Sequence, residues 1–517
     1  MKASCSGEPP APETELKLRV PHGALRRLGA HPLLRGRAPA VVKKFRTVYF
    51  DTPEFDLRRQ GVALRVRRDG RRWVQAVKDR GTVHGGLHSR LEIEAEVSGP
   101  VPDCARIADD RLAGIFASPE LRAALAPVFV THFGRRTRLI EFQEAVVEAS
   151  IDRGEIRGGD GIDPVAELEL ELRSGPSWRL FELALELVED VPLQVEYRSK
   201  AERGYALAQG MRPQPVKATR AVLNADMTVG VAFETIVWET LHHLQSNERG
   251  VLEGSDAEYL HQLRVALRRL RSAFSLFSAV LPRQATAPLV AELRWLAGTL
   301  GPARDWDVFM VETLPPIREQ FADHEALAEF ARECARLRRA AARKAQRAVG
   351  SRRCQCLMLR LAGWAATAAW LVDADAAVRE ALMKPITEFA ADALTVRHAQ
   401  VRKRGRRLKR RSLVELHRLR IAVKKLRYAA DFFSTLFESR RVRGMLSPLA
   451  RLQTILGAMN DASTVENLVR AGPGTPADQA LSGARGIVVG WSRGRALTLR
   501  RELRAAWKAF RAAEKFW

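Results

Sequence analysis

Glu13, Glu15 and Lys17 stand at every second position, and a strand would set all three on one face. Arg65 and Arg67 share that spacing, as do Arg90, Glu92, Glu94 and Glu96, and then Glu167, Glu169 and Glu171. One such strand reads as the wet face of an antiparallel sheet. Four of them, with both signs of charge, point to something more. A closed antiparallel barrel of about eight strands has room for one small ligand. With the charged faces turned inward, its lumen would carry acids and cations together. Carboxylate oxygens suit Mg2+ or Mn2+, and Arg and Lys suit phosphate oxygens, so the chemistry is that of a metal–phosphate complex.

A second constellation has helical spacing. His261, Arg264, Arg268 and Arg271 fall at i, i+3, i+7 and i+10, one stripe of a helix. His417, Arg420, Lys424 and Arg427 repeat the stripe 156 residues later. Leu300, Gly301, Arg304 and Asp305 recur at the same offset as Leu456, Gly457, Asn460 and Asp461. One stripe alone is an ordinary solvated face; its recurrence in register marks a duplicated helical unit. Guanidinium and ammonium groups in a row can follow a chain of phosphates without reading a base. The copies differ, Tyr428 replacing Ser272 and Asn460 replacing Arg304, so the two faces need not bind equally. The run Arg402–Arg411 adds further basic residues, on an exposed helix or loop.

The elements that must position these groups divide the chain in two. Strand patterns cover Glu13–Val20, Val62–Arg68, Trp73–Lys78, Leu91–Val97, Val147–Asp152 and Val165–Leu172, with one helix expected over His22–Leu34. From about Val231 the sequence turns Ala-, Leu- and Arg-rich at helical spacing. Gly210–Pro215 suits a linker. We therefore expect an α+β protein with two domains: an antiparallel eight-stranded β-barrel tunnel over residues 1–205, a linker at 206–224, and an all-α duplicated bundle over 225–517. Of the net charge of +25, residues 221–517 supply +20, with 49 Lys and Arg against 29 Asp and Glu. Such a field attracts polyanions. No apolar run approaches the ~20 residues of a membrane-spanning helix, and Met1–Glu13 has no apolar stretch of the secretory kind. Cys5, Cys104, Cys334, Cys354 and Cys356 form no CxxC pair, which fits reduced thiols and a cytoplasmic location rather than a zinc site.

The strand half resembles the CYTH superfamily, the triphosphate tunnel metalloenzymes. Glu13-Thr14-Glu15-Leu16-Lys17 is its ExExK signature, weak alone. It is joined in order by Tyr49–Pro53, Ala63–Arg67, Val77–Lys78, Arg90–Glu94, Thr131–Arg135, Ile151–Gly154, Glu167–Glu171 and Ser199–Lys200. The resemblance implies a barrel acting on a triphosphate with a divalent metal. Glu13, Glu15, Asp152 and Glu169 would hold the metal, with Glu167 in support. Lys17, Arg65, Arg67, Arg135 and Lys200 would grip phosphates, and Tyr49 and Lys78 would activate or position the attacking group. Arg136, beside Arg135, should face outward. The helical half resembles the CHAD domain, a conserved-histidine all-α module. That resemblance implies inorganic polyphosphate bound in a basic pore by His261, Arg264, Arg268, Arg271, His417, Arg420, Lys424 and Arg427.

The architecture is similar to bacterial CYTH–CHAD fusions, some of which hydrolyse inorganic triphosphate. The expectation is a Mg2+- or Mn2+-dependent inorganic triphosphatase with a polyphosphate-binding second domain, placed in the cytoplasm or at polyphosphate granules. The alternatives are a non-catalytic polyphosphate scaffold, or a thiamine triphosphatase or adenylate cyclase on the same barrel. Nucleic acid ranks lower, because no aromatic stacking platform is evident.

Overall fold

The computed structural model describes residues 13–107, 109–254, 256–372, 374–408, 411–470 and 479–517. Cys5 and the residues before Glu13 lie outside these, as does part of Arg402–Arg411. The chain forms two compact units: residues up to Gln214 together with Arg352–Thr367, and Pro215–Ser351 together with Ala368–Trp517.

The first unit is a curled antiparallel sheet. Its strands are β1 (Glu13–Arg19), β2 (Val41–Asp51), β3 (Val62–Asp69), β4 (Arg72–Asp79), β5 (Thr82–His84), β6 (Leu87–Arg90), β7 (Glu92–Val97), β8 (Ala126–Phe142), β9 (Ala145–Gly158), β10 (Gly161–Ser174) and β11 (Gln194–Val195). The hydrogen-bonded order is β5-β6-β1-β10-β9-β8-β2-β3-β4-β7, with β11 beside β1. The expected closed ring of eight strands is thus corrected to an eleven-stranded curled sheet. Among the described residues no ladder joins the two ends of its path. Instead β6 and β7, near opposite ends, are consecutive in the chain and separated only by Leu91. The Leu91 N–H donates to Asp79 Oδ1 (3.0 Å), and the Asp79 N–H donates to the Leu91 carbonyl (3.2 Å). The strand jogs there and switches neighbours, from β1 to β4. The helix expected over His22–Leu34 is likewise broken into a 3-10 turn (His22–Ala24), a short α-helix (Leu25–Gly29) and a second 3-10 turn begun by Pro32.

Alternation explains why the charged face turns inward. On β1 and β10 the residues that alternate with the charged ones are Leu16, Leu18, Leu168 and Leu170, all buried. They pack beneath the amphipathic helix α1 (Arg179–Asp190), which buries Leu180, Leu183, Ala184 and Leu187. With the apolar face committed to this core, the pleat leaves the acids and lysines only the concave side. A short helix, α2 (Lys200–Ala208), packs against β8, β9 and β10.

The second unit is built from α3 (Val229–Glu253), α4 (Ala257–Leu276), α5 (Arg283–Val308) and α6 (Glu325–Val349), then, after a connecting segment, α8 (Ile386–Gly405), α9 (Leu413–Phe432), α10 (Ser439–Arg470) and α11 (Gln479–Ala512). α4 and α9 begin 156 residues apart, have the same length, and are N-capped at equivalent positions by Asp256 and Ser412. α5 and α10 begin at the same offset. Each helix touches its own copy: α3 meets α8, α4 meets α9, α5 meets α10 and α6 meets α11. That is what a pseudo-twofold axis through a duplicated bundle requires. Pro215–Leu223 packs onto this unit. Asn247 holds both the N–H and the carbonyl of Val216 (3.0 and 2.9 Å), and Arg269 donates to the Thr219 carbonyl (2.7 Å).

The segment connecting the two copies contributes α7 (Arg352–Ala366) to the first unit. α7 lies against α1. Arg352 pairs with Glu189 (3.1 Å), and a Cβ on Gly363 would come within 3.3 Å of the Phe181 Cβ, so glycine permits the close approach. A fragment ending at Gln214 is therefore expected to lose several kcal/mol of stability, at roughly 1.5–3 kcal/mol per large side chain left uncovered. Rejoining residues 352–367 through a flexible linker should restore it. Denaturant unfolding of the two fragments checks this; equal midpoints would show that α7 adds nothing.

Candidate functional site

The concave face of the first unit encloses a cavity of about 680 Å³. Glu13, Glu15, Lys17, Tyr49, Arg65, Arg67, Lys78, Arg135, Glu169 and Lys200 all line it. Asp152 and Glu167 are completely buried beside it and reach it through their partners. Register brings these residues together: β1 sets Lys17 opposite Glu169, β10 sets Glu167 opposite Asp152, and β8 sets Arg135 opposite Asp152. Tyr49 on β2 stands opposite Arg65 on β3, and stacks on Phe129 with ring centres 4.3 Å apart.

Lys17 Nζ lies 2.8 Å from Glu15 and 2.5 Å from Glu169. Lys200 Nζ lies 2.8 Å from Asp152, 2.7 Å from Glu167 and 2.8 Å from Glu169. Arg135 grips Asp152 with two bonds of 2.7 Å and also reaches Glu169. Glu169 is thus shared by three cations. Lys78 bridges Glu13 and Glu92 (2.7 Å each), Arg65 pairs with Glu92 (2.7 Å), and Arg67 with Glu94 (2.9 Å). Arg136 is exposed on the outer face.

The field of these pairs outweighs desolvation for most of the acids. Burial alone would raise the Glu15 carboxyl, but Lys17 holds it at about 2. Burial also opposes ionisation of Glu169, yet Lys17, Lys200 and Arg135 hold it well below the usual carboxylate range. Glu13 and Glu171 are the exceptions, both raised by burial, and Glu171 the more strongly. Burial first, and then Glu13, push the Glu171 carboxyl up to about 7, because Arg173 offsets them only in part. The sequence pattern showed Glu171 on the acidic face but gave no sign of this excess charge.

One buried member escaped the sequence reading. Arg203 pairs with Asp163 (2.8 Å) and Glu167, and so clamps the acid that also holds Lys200. Its signal was present: Ser199 and Glu202 form a capping box that starts α2, and Lys200 and Arg203 fall three apart on its face. Lys43, Glu148 and Arg173 also line the cavity. Among the described residues no three acids, histidines or cysteines stand at ligating distance for a metal, since lysines and arginines hold the acids instead. The donor set nonetheless fits a hard divalent cation, because it is all carboxylate.

In the second unit the dyad brings α4 against α9, and the two stripes face each other. Arg268 Nε donates to the Tyr428 hydroxyl across the pair (3.1 Å), so the residue that breaks the repeat bridges the copies. Arg264, Arg268, Arg420 and Lys424 feel one another's charge. Among the described residues none of the four makes an ion pair, and the Nε atoms of Arg264 and Arg420 are buried without a partner. Burial, then Arg420 and Arg268, push the Lys424 ammonium down to about 7, with Asp461 opposing. His261 stands beside Arg304, while His417 bonds to Asn460 (2.6 Å), the residue at the equivalent position. Arg271 and Arg427 leave the cluster, Arg271 toward Arg294 and Arg427 toward Asp431 (3.7 Å). Among the described residues Cys104, Cys334, Cys354 and Cys356 form no disulfide, and no helix is long and apolar enough to cross a membrane.

An acid-and-cation cavity on a curled sheet, together with a duplicated helical unit whose facing stripes gather four cations without ion pairs among the described residues, defines a two-module protein. The chain carries a CYTH domain over residues 11–205 and a CHAD domain over residues 235–470. Over 160 residues it is 33% identical to the inorganic triphosphatase of Haemophilus influenzae, which covers 31% of this chain and 44% of that protein. The chain thus spans less than half the length of that curated relative. The crystal structure of the CHAD domain from the plant Ricinus communis is 35% identical, with a TM-score of 0.50, covering 58% of this chain and 99% of that one.

Proposed function

We propose that the first unit hydrolyses inorganic triphosphate with a divalent cation, and that the second binds inorganic polyphosphate. The observation that carries the hydrolase reading is the single cavity lined by Lys17, Arg65, Arg67, Arg135 and Lys200 together with Glu13, Glu15 and Glu169. Likeness to a relative named inorganic triphosphatase supports it. Phosphoryl transfer asks a protein for positioning and for charge neutralisation more than for covalent chemistry. Arg65, Arg67, Arg135, Lys17 and Lys200 bind and align the phosphates. Lys17 and Lys200 keep the acids ionised until substrate arrives, and then offer protons of their ammonium groups to phosphate oxygens. Glu13, Glu15, Asp152 and Glu169 would hold Mg2+ or Mn2+, with Glu167 holding Lys200 and Arg203 in place. Such an ion, when bound, neutralises phosphate charge and lowers the pKa of water. Tyr49 and Lys78 position the attacking group. The test is phosphate release from triphosphate, ATP, thiamine triphosphate and long polyphosphate, with and without Mg2+ or Mn2+. Release only from triphosphate, and only with metal, is expected; equal turnover without metal removes the reading.

The polyphosphate reading rests on Arg264, Arg268, Arg420 and Lys424, half-buried and without ion pairs among the described residues. It carries a pH dependence. Below pH 7 Lys424 is already charged and phosphates meet it ready. Above its value of about 7 it is neutral in the free protein and must take up a proton on binding. Affinity for polyphosphate should fall by up to about tenfold per pH unit above 7. Lys424→Arg should flatten the profile, which His261, titrating lower, would not do. Titrations of both proteins from pH 6 to 9 decide it. A location in the cytoplasm, at polyphosphate granules, is part of the same proposal and is tested by imaging a fluorescent fusion.

A further inference from the structure

A second basic concavity lies on another side of α9. α8 and α9 are packed neighbours, and the groove between them, about 760 Å³, is lined from both helices. α8 presents Arg397, Lys403 and Arg404, and α9 presents Arg418 and Lys425. Arg418 and Lys425 are seven apart on α9, so they share one face of the helix. Lys424 and Lys425, as consecutive helical residues, point about 100° apart, and the groove shares no lining residue with the His/Arg stripes.

Two packed helices ordinarily place opposite charges across their seam. Here cation faces cation. The one acid that lines the groove, Glu415, is occupied twice: it closes the capping box with Ser412, and it pairs with Arg411. Among the described residues Arg397, Lys403, Arg404, Arg418 and Lys425 make no ion pair. Arg397 donates to the Ser275 carbonyl (2.8 Å) and Arg404 to the Arg418 carbonyl (3.3 Å), bonds that fix the guanidinium groups without neutralising them. Burial, and then the crowding of Arg397, Arg404 and Arg271, push the Lys425 ammonium down. The chain holds like charges together here and leaves them without a counter-charge.

We propose that this groove is a second anion site, for short inorganic oligophosphates of triphosphate size, separate from the cavity of the first unit. The lining names the ligand class. Its remaining member is Gln400, so every residue that lines the groove is polar. No aromatic or aliphatic side chain lines it, so a nucleotide base has no stacking platform there and an acyl chain no apolar pocket. A compact, base-free polyanion satisfies the cations and needs nothing else. The choice of phosphate rests on the function proposed above, in which triphosphate is the substrate. The groove would then register the concentration of the molecule that the first unit consumes.

The test uses the full chain and inorganic triphosphate, in chelator so that turnover is off. Calorimetry of the wild type is compared with K403Q/R404Q/R418Q, whose altered residues are all exposed and lie outside the cavity. The single charge reversal R418E is a second variant, and circular dichroism checks the helices of both. The expected result is the loss of one class of triphosphate sites, with affinity there falling more than about tenfold, and a salt-dependent isotherm in the wild type. With metal restored, kcat/KM at low triphosphate should be unchanged. Identical isotherms for wild type and both variants overturn the site. So does binding of a single-stranded oligonucleotide of equal charge to the groove as tightly as triphosphate. Absence of hydrolysis in the wild type would instead remove the first-unit reading, and is scored separately.

Discussion

Glu169→Gln should cut triphosphate turnover by about two to three orders of magnitude, the scale seen when one preorganised electrostatic partner is removed from a site. Glu169 is the acid that Lys17, Lys200 and Arg135 share. Losing its charge releases from their alignment three cations proposed to bind phosphate, and removes one proposed ligand of the metal. The fold should survive at a cost of a few kcal/mol, because Glu15, Asp152 and Glu167 still pair with the lysines. The two roles separate in the metal titration. If Glu169 helps to hold the ion, raising Mg2+ or Mn2+ restores part of the turnover and the apparent metal affinity of the variant is lower. If it only aligns the lysines, saturating metal changes nothing and KM for triphosphate rises instead. Wild-type turnover at limiting metal would remove Glu169 from the site altogether. The acid side of the pH profile carries the same logic. Glu169 is held ionised far below the usual range, so its contribution is present above the unfolded carboxylate value and is lost only as pH falls through the depressed one.

Replacing Arg264, Arg268, Arg420 and Lys424 together by Ala should lower affinity for long polyphosphate by about three orders of magnitude. At about 1.5 kcal/mol for each charge-assisted bond to phosphate, four amount to about 6 kcal/mol, and non-additivity within one cluster reduces the sum. The salt dependence should flatten as well, by roughly one unit of slope for each phosphate that the protein no longer neutralises. The control removes four exposed basic residues elsewhere on the same unit, Arg451, Arg495, Arg501 and Arg504. Its net charge is the same, so equal losses would mean that only the overall field binds the polymer. A larger loss from the stripes means that their convergence matters. Stripe truncation should also stabilise the unit slightly in the absence of ligand, because crowded cations without ion pairs repel one another. Competition by duplex DNA as strong as by polyphosphate would turn the reading toward nucleic acid.

Much of both sites is legible in the sequence because periodicity is a local property. Alternation on Glu13, Glu15 and Lys17 assigns three charges to one strand face, and no distant residue alters that. The stripes at 261–271 and 417–427 are set by helical spacing in the same way. Their repeat reports a duplication, since register over so long a separation is retained only by copies. The capping residues Ser199, Asp256 and Ser412 mark helix starts through bonds that span three residues at most.

What the sequence by itself determined is therefore which side chains share a face and which segments are copies. Which faces meet was decided by the tertiary structure. β1 lies between β10 and β6, so Lys17 meets Glu169 from a strand more than 150 residues away. The jog at Leu91, which replaces an eighth closing ladder by a turn of the chain, depends on a side chain of β4 and could not be seen in β6 or β7 alone. The dyad sets α4 against α9, gathers Arg264, Arg268, Arg420 and Lys424, and sends Arg271 and Arg427 elsewhere, though all share the same helical spacing. α7 lies within the helical half of the sequence yet completes the first unit, because the outer surface of α1 needed covering and composition carries no record of the partner. The surroundings then fixed the charges: Lys17 holds Glu15 at about 2 against burial, while burial pushes Glu171 up and Lys424 down to about 7. A pKa answers to every charge and dipole around a group in space, and chain order lists only the neighbours along the backbone.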